Sequence, residues 1–194
     1  MIIGITGGTG CGKTTLLRLI QERGGLVLDC DEIYHRLLEA DRQMLAALEN
    51  RFPQAFPQGK LERKALGKIV FADPAALDAL NGITHRAVKQ EVLRQLKSAP
   101  SLAAIDAIGL FESGLNTLCH ITVAVTAPLE DRVRRLMARD GIPEDYARSR
   151  IAAQHEEDWF RQRCDYILEN NGTADDFLKK SIAFLDAQGI MGVD

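Results

Sequence analysis

Met1 to Ile5 is a short apolar run, and Gly7 to Gly12 is a glycine-rich turn. Lys13-Thr14-Thr15 then opens a stretch whose apolar residues Leu16, Leu17, Leu19 and Ile20 recur at helical spacing. No other feature of the chain constrains its fold as strongly. Gly7 to Thr14 fits G-x-x-x-x-G-K-[ST], the phosphate-binding loop, and strand–loop–helix is the order in which that loop works. Glycine lets the backbone wrap a polyphosphate and present successive N–H groups to it, while the helix N-terminus adds the positive end of its dipole. The residues assigned to a bound nucleotide are therefore Gly8, Thr9, Gly10, Cys11, Gly12, Lys13, Thr14 and Thr15. Lys13 has the length to reach the terminal phosphates, and the Thr14 hydroxyl suits Mg²⁺. The expected ligand is a nucleoside triphosphate. The chain lacks Asn-Lys-x-Asp, a guanine signal, so ATP is the default. Cys11 sits inside the loop beside a helix N-terminus, where a thiol pKa is expected to fall.

Three further apolar runs, Leu26 to Leu28, Leu102 to Ala107 and Ile121 to Val125, read as buried parallel strands, and Tyr166 to Leu168 as a shorter fourth. With the first strand and the helical stretches between them, they predict an α/β fold: a five-stranded parallel sheet with a P-loop NTPase core. The span between the second and third strands is helical throughout, with Asp73-Pro74 as N-cap and first helical residue of its longest helix. A crossover needs only about a dozen residues, so this span reads as an inserted subdomain, placed where a second substrate would bind. After Ile121 to Val125, Pro128 starts a helix bearing Arg132, Arg135 and Arg139. Asp140-Gly141-Ile142-Pro143 breaks it, and a second short helix carries Arg148 and Arg150. A solvated face is the ordinary reading of such arginines. Beside a phosphate loop they also suit phosphoryl transfer, which needs cations over the moving group. The expected organisation is a nucleotide-binding core over 1–29, 101–139 and 164–194, a helical acceptor-binding subdomain over 30–100, and a helical lid over 140–163.

Two strand ends carry carboxylates toward the crevice beside the loop. Val27-Leu28-Asp29-Cys30-Asp31 places Asp29 and Asp31 at i and i+2, where an extended segment points both the same way. Either could take a proton from a substrate hydroxyl, and either could cap the helix that follows. Asp106, closing Ala104-Ile105-Asp106, resembles the carboxylate that binds the magnesium shell in P-loop enzymes.

Composition removes several classes. A net charge of −3 supplies no basic field, so nucleic acid is not an expected partner. No apolar run is long enough to span a membrane, and the first residues read as a core strand rather than a signal peptide. The four cysteines have no C-x-x-C spacing, which suits reduced thiols in the cytoplasm. Nothing in the sequence sets an oligomeric state. On these residues alone, a kinase of nucleosides or nucleotides and a nucleotide-dependent binding module with weak catalysis both stay open.

The blocks taken together resemble the dephospho-coenzyme A kinase family from Ile2 to about Gly172. They include Gly4 to Thr14, Leu28-Asp29-Cys30-Asp31 with Arg36, Gly59 to Leu66, and Leu80-Asn81-Gly82-Ile83-Thr84-His85. They continue with Leu110-Phe111-Glu112, Arg150-Ile151-Ala152-Ala153-Gln154, Asp165-Tyr166-Ile167 and Asn170-Asn171-Gly172. The resemblance implies Mg²⁺-dependent transfer of the γ-phosphoryl of ATP to the ribose 3′-hydroxyl of dephospho-coenzyme A. It implies Asp31 as catalytic base, with Lys13 and Arg139 serving the transferred group. It places Arg36, Arg63, His85 and Glu112 on the acceptor side with Asp31, Arg150 in the lid, and Asn170 to Gly172 by the adenine. Three positions depart from the family pattern. Ile108-Gly109 stands for proline–leucine, Arg86 for the proline after the helix histidine, and Phe160 for a basic residue after the lid glutamine.

Overall fold

In the computed structural model, which describes residues 1–191, the apolar run before the glycine turn forms β1 (Ile2–Thr6). The other strands are β2 (Leu26–Asp29), β3 (Ala103–Asp106), β4 (Ile121–Thr126) and β5 (Tyr166–Glu169). They make one five-stranded parallel sheet in the order β2-β3-β1-β4-β5. β1 lies at its centre, with Gly4 opposite Ile105 on one side and Thr122 on the other. Ile3, Ile5, Ile105, Val123 and Val125 are wholly buried, as a parallel strand covered on both faces requires. β2 and β5 are the edge strands and only half-buried, with Tyr166 exposed, so the buried strands expected at the two edges are only partly covered.

The helices in chain order are α1 (Lys13–Glu22), α2 (Cys30–Ala40), α3 (Arg42–Arg51), α4 (Arg63–Ala72), α5 (Pro74–Leu96), α6 (Leu129–Asp140), α7 (Glu144–Ala152), α8 (Glu157–Arg161) and α9 (Ala174–Ala187). The chain divides into two compact units. One is Met1–Leu28 with Ala99–Asp194, whose last three residues, 192–194, lie outside those described. Its core joins Leu16, Leu19 and Ile20 of α1 to Ile3, Ile5, Val123 and Val125 of the sheet and to Phe177, Phe184 and Leu185 of α9. α6 and α7 close a smaller cluster of Val133, Leu136, Ala147 and Ile151.

The other unit, Asp29–Ser98, is helical and has a core of its own: Met44, Leu48, Phe52, Phe56, Leu66, Val70 and Ala76. Three of its four α-helices begin on aspartates, while α4 follows Glu62, whose side chain caps nothing. Asp29, Asp41 and Asp73 each accept N–H groups of the turn that follows them, which satisfies donors a helix N-terminus leaves over. Asp73 accepts from Ala75 at 2.9 Å, with Pro74 in the first turn of α5, as the sequence predicts.

Candidate active site

The loop between β1 and α1 is built from three glycines in the left-handed region: Gly7 at φ 127°, Gly10 at 78° and Gly12 at 95°. Side chains rarely tolerate those angles, and space forbids them as well. A Cβ at Gly7 would lie 2.2 Å from the Val125 carbonyl oxygen, and one at Gly12 would lie 2.4 Å from Asn170 Nδ2. α1 starts at Lys13 with no side-chain cap; the Thr15 N–H bonds back to the Gly12 carbonyl at 3.2 Å, and no side chain takes the N–H groups of Lys13 and Thr14 at the positive end of the dipole. The loop therefore has a backbone geometry that suits an anion.

Lys13 is the cation of that loop. Its Nζ donates to the Gly7 carbonyl at 3.1 Å and lies 3.9 Å from Asp106 Oδ1 at the end of β3, both side chains being largely buried. Sheet order brings the two together, because β1 and β3 are neighbours and Ile5 is in register with Asp106. A hydroxyl at Thr14 and one carboxylate at Asp106 suit Mg²⁺, which keeps much of its water shell and is held with substrate phosphates. Among the described residues no cluster of three His, Cys, Asp or Glu side chains could hold an ion unaided.

Cys11 is only 3% exposed, and burial pushes its thiol pKa up, outweighing the pull of Arg132 and Lys13. The expected fall in its pKa is thus overturned. Desolvation disfavours the thiolate more than the two cations and the nearby backbone groups favour it.

Sequence reasoning gave Arg132 and Arg135 only a general fitness for phosphoryl transfer and gave Gln154 no role, and the structure places all three on the loop. Arg132 Nε donates to the Thr9 carbonyl at 3.0 Å, and Arg135 Nη1 to the Gly10 carbonyl at 3.1 Å. Gln154, just past α7, accepts the Thr9 N–H at 2.8 Å. Asn170 joins them, donating to the Cys11 carbonyl at 2.9 Å from its buried place after β5. The usable signal was the i, i+3 spacing of the two arginines on the helix after β4. Gly172 lies in the turn before α9, beside Asp176.

Arg139 and Arg150 do not touch the loop in this structure. Both reach Asp140 at the end of α6: Arg139 Nε at 2.6 Å and Arg150 Nη1 at 2.7 Å. Those contacts, that of Arg139 foremost, lower the Asp140 carboxyl to about 2. Arg148 ties α7 to α6 through both oxygens of Glu130, at 2.9 and 2.8 Å, and also bonds Glu144. Glu112 bonds His155 Nε2 at 2.6 Å. The His155 ring stacks on Trp159 at 3.8 Å and 2°. A groove of about 260 Å³ lies here, lined by Ile108, Gly109, Glu112, Gln154, His155 and Phe160. Phe160, where the family pattern has a basic residue, is buried, and the nearby Arg161 bonds Glu157 and Glu169 instead.

In the helical unit, Asp31 sits on the exposed first turn of α2. The helix begins at Cys30, so Asp29 and Asp31 do not share an extended segment and the i, i+2 expectation fails. Asp29 is the cap: its Oδ1 accepts N–H groups of Asp31 at 2.9 Å and Glu32 at 3.0 Å. Asp31 Oδ atoms take no part in capping, which leaves its carboxylate for other work. The same unit carries Arg36 on α2, Arg63 at the start of α4 with Glu39 3.5 Å away, and half-buried His85 and exposed Arg86 on α5. Burial raises the Tyr34 phenol there, and Arg63 opposes it.

The family model for dephospho-CoA kinase matches residues 1–176. The chain belongs to the dephospho-CoA kinase family. A dephospho-CoA kinase from Thermus thermophilus is 40% identical over 178 residues, spanning 91% of this chain and 86% of the relative. A crystal structure of a Thermus thermophilus protein superimposes with a TM-score of 0.84 at 36% identity, covering 97% of each chain. The dephospho-CoA kinase of Campylobacter jejuni, at 24% identity and TM-score 0.68 over 98% of each chain, shares the fold. The phosphate loop, Lys13 and the sheet thus belong to an ATP-dependent kinase of the dephospho-CoA kinase family. No helix among the described residues is long and apolar enough to cross a membrane.

Proposed function

We propose that this chain transfers the γ-phosphoryl group of ATP to the ribose 3′-hydroxyl of dephospho-coenzyme A, giving coenzyme A and ADP. The observation that carries the reading is the phosphate loop with Lys13 inside it, in a chain of this family. The N–H groups of the loop and of the first turn of α1 bind the β- and γ-phosphates, and Lys13 offsets the charge that develops between them. Thr14 and Asp106 would hold Mg²⁺, which would screen the phosphate oxygens when bound. Asn170 and Gly172 flank the adenine side.

Asp31 takes the proton of the attacking hydroxyl. A carboxylate at the exposed start of a helix, with the capping already done by Asp29, supports that role. Arg36, Arg63, His85 and Glu112 bind the acceptor. Arg139 and Arg150 exchange Asp140 for the transferring phosphoryl group, a change of partner between two anions for two exposed guanidiniums. The charge balance and the reduced cysteines support work in the cytoplasm on small molecules.

One assay tests the reading: purified protein with ATP and Mg²⁺, scored for ADP release against dephospho-coenzyme A, adenosine, AMP and pantetheine compounds. Turnover of dephospho-coenzyme A alone is expected. Turnover of AMP or a nucleoside without dephospho-coenzyme A would overturn it.

A further inference from the structure

We infer that Arg132 and Gln154 are positioning residues of the phosphate loop. They hold the Thr9 peptide from outside, so that the N–H groups beyond it face the β-phosphate, and they act through the loop without touching the nucleotide. The inference rests on the kinase reading above for the identity of the ligand.

The contacts close on one another. Gln154 Oε1 accepts the Thr9 N–H at 2.8 Å and Arg132 Nη2 at 3.0 Å, while Arg132 Nε donates to the Thr9 carbonyl at 3.0 Å. Both sides of Thr9 are thus fixed by two side chains that also fix each other. Arg135 takes the next carbonyl, Gly10, at 3.1 Å, and Asn170 the one after, Cys11, at 2.9 Å. Three consecutive carbonyls are turned onto donors from α6 and from the segment after β5.

That arrangement has a consequence for the N–H groups. Every peptide here is trans, and in a planar trans peptide the C=O and N–H point in opposite directions. Turning the Thr9 and Cys11 carbonyls outward turns the Gly10 and Gly12 N–H groups inward. The Cys11 N–H closes the loop on the Gly8 carbonyl at 3.3 Å. A carbonyl facing the phosphate would repel it, and the two guanidiniums keep those dipoles turned away.

Gly8 supplies an independent sign. Its φ is not positive, so its backbone does not require glycine. A Cβ there would lie 2.1 Å from Arg132 Nη2 and 3.0 Å from Gln154 Oε1. The missing side chain at Gly8 makes room for the pair that grips Thr9.

The test is calorimetric titration of wild type, Arg132→Lys and Gln154→Leu with ADP and with ATP, in Mg²⁺, beside steady-state kinetics and thermal melts. Arg132→Lys keeps the charge and loses the fork. It should weaken ADP and ATP by a common factor of roughly ten- to a hundredfold, the scale of hydrogen bonds to a charged group. KM for ATP should rise while kcat at saturating ATP changes little, since ground and transition states lose the same binding. Gln154→Leu should move both affinities in the same direction by a smaller factor. Wild-type ADP affinity in Arg132→Lys would overturn the inference. So would a loss confined to ATP, which would make Arg132 a direct γ-phosphate ligand. If Arg132→Lys does not fold, Gln154→Leu decides alone, and unchanged ADP affinity there sinks the idea. A wild-type protein that binds ADP but leaves dephospho-coenzyme A unphosphorylated would overturn the proposed function while leaving these titrations readable.

Discussion

At the scale of single residues, the loop separates what a motif prescribes from what burial decides. Lys13 stands where G-x-x-x-x-G-K-[ST] puts it, with its ammonium held by the Gly7 carbonyl and facing Asp106. Lys13→Met should lower kcat on the order of 10²–10³, the scale of one lost electrostatic stabiliser, with far-UV spectrum and melting near wild type. Near-normal turnover would show that Lys13 does not serve the phosphates. Cys11 is the contrary case. Its position between glycine and a helix start was legible, but its buried, raised-pKa state was not, because desolvation depends on what α6 and the sheet lay over it. Iodoacetamide at pH 8 should therefore leave Cys11 unlabelled in the native protein, with or without ATP, and label it in urea. Rapid native labelling, read by peptide mass spectrometry, would mean that the loop opens to solvent. The contacts of Arg132 and Gln154 with Thr9 were hidden for a different reason: both residues lie far from the loop in sequence, one on α6 and one just past α7, and only the folded chain brings them to it.

Among elements, the helix starts were the most legible and the strand ends the least. Asp73-Pro74 marks α5 by a local rule, and Asp140-Gly141 ends α6 with Gly141 at φ 65°. The end of β2 was misjudged by two residues, and with it the partnership of two carboxylates, since a strand alternates its side chains and a helix turn does not. The two roles can be separated by substitution. Asp29→Ala removes the acceptor of two N–H groups and should destabilise the helical unit by about 1 kcal/mol. Asp31→Asn should leave the melting curve in place and lower kcat by roughly 10²–10⁴, with KM for ATP unchanged. An Asp31→Asn enzyme keeping more than about a tenth of wild-type kcat would contradict the smallest loss in that range, and the base would lie elsewhere. The α6–α7 pair gives a pH signature. Arg139 and then Arg150 hold the Asp140 carboxyl down from 3.8 to about 2. A depressed carboxylate stabilises the folded pair above its unfolded value, and that contribution is lost as pH falls from about 4 through about 2. An NMR titration of the Asp140 carboxyl should show its midpoint near 2. A midpoint near 4 would mean that neither arginine holds it in solution.

For the molecule as a whole, the sequence announced a parallel sheet and a helical insertion because both follow from runs and periods. The cores inside them were less visible, since an apolar helix face does not name its partner. The structure supplies the partners: the sheet unit closes over α1 and α9, and the helical unit over Met44, Leu48, Phe52, Phe56 and Leu66, all within Asp29–Ser98. A unit with its own core can be damaged by itself. Phe52 is 1% exposed at the heart of the helical cluster, so Phe52→Ala should cost about 3–5 kcal/mol through lost transfer energy and an unfilled cavity. None of the residues that form the phosphate loop lies in that cluster. The expected outcome is a helical unit that opens at lower urea than the sheet unit, turnover of dephospho-coenzyme A lost in proportion, and ADP affinity by calorimetry close to wild type. Amide hydrogen exchange would locate the loss, with protection falling across α2 to α5 and persisting in β1, β3 and β4. If ADP affinity and sheet protection fell together with turnover, the two units would unfold as one cooperative body, and selective damage to the helical unit would be ruled out.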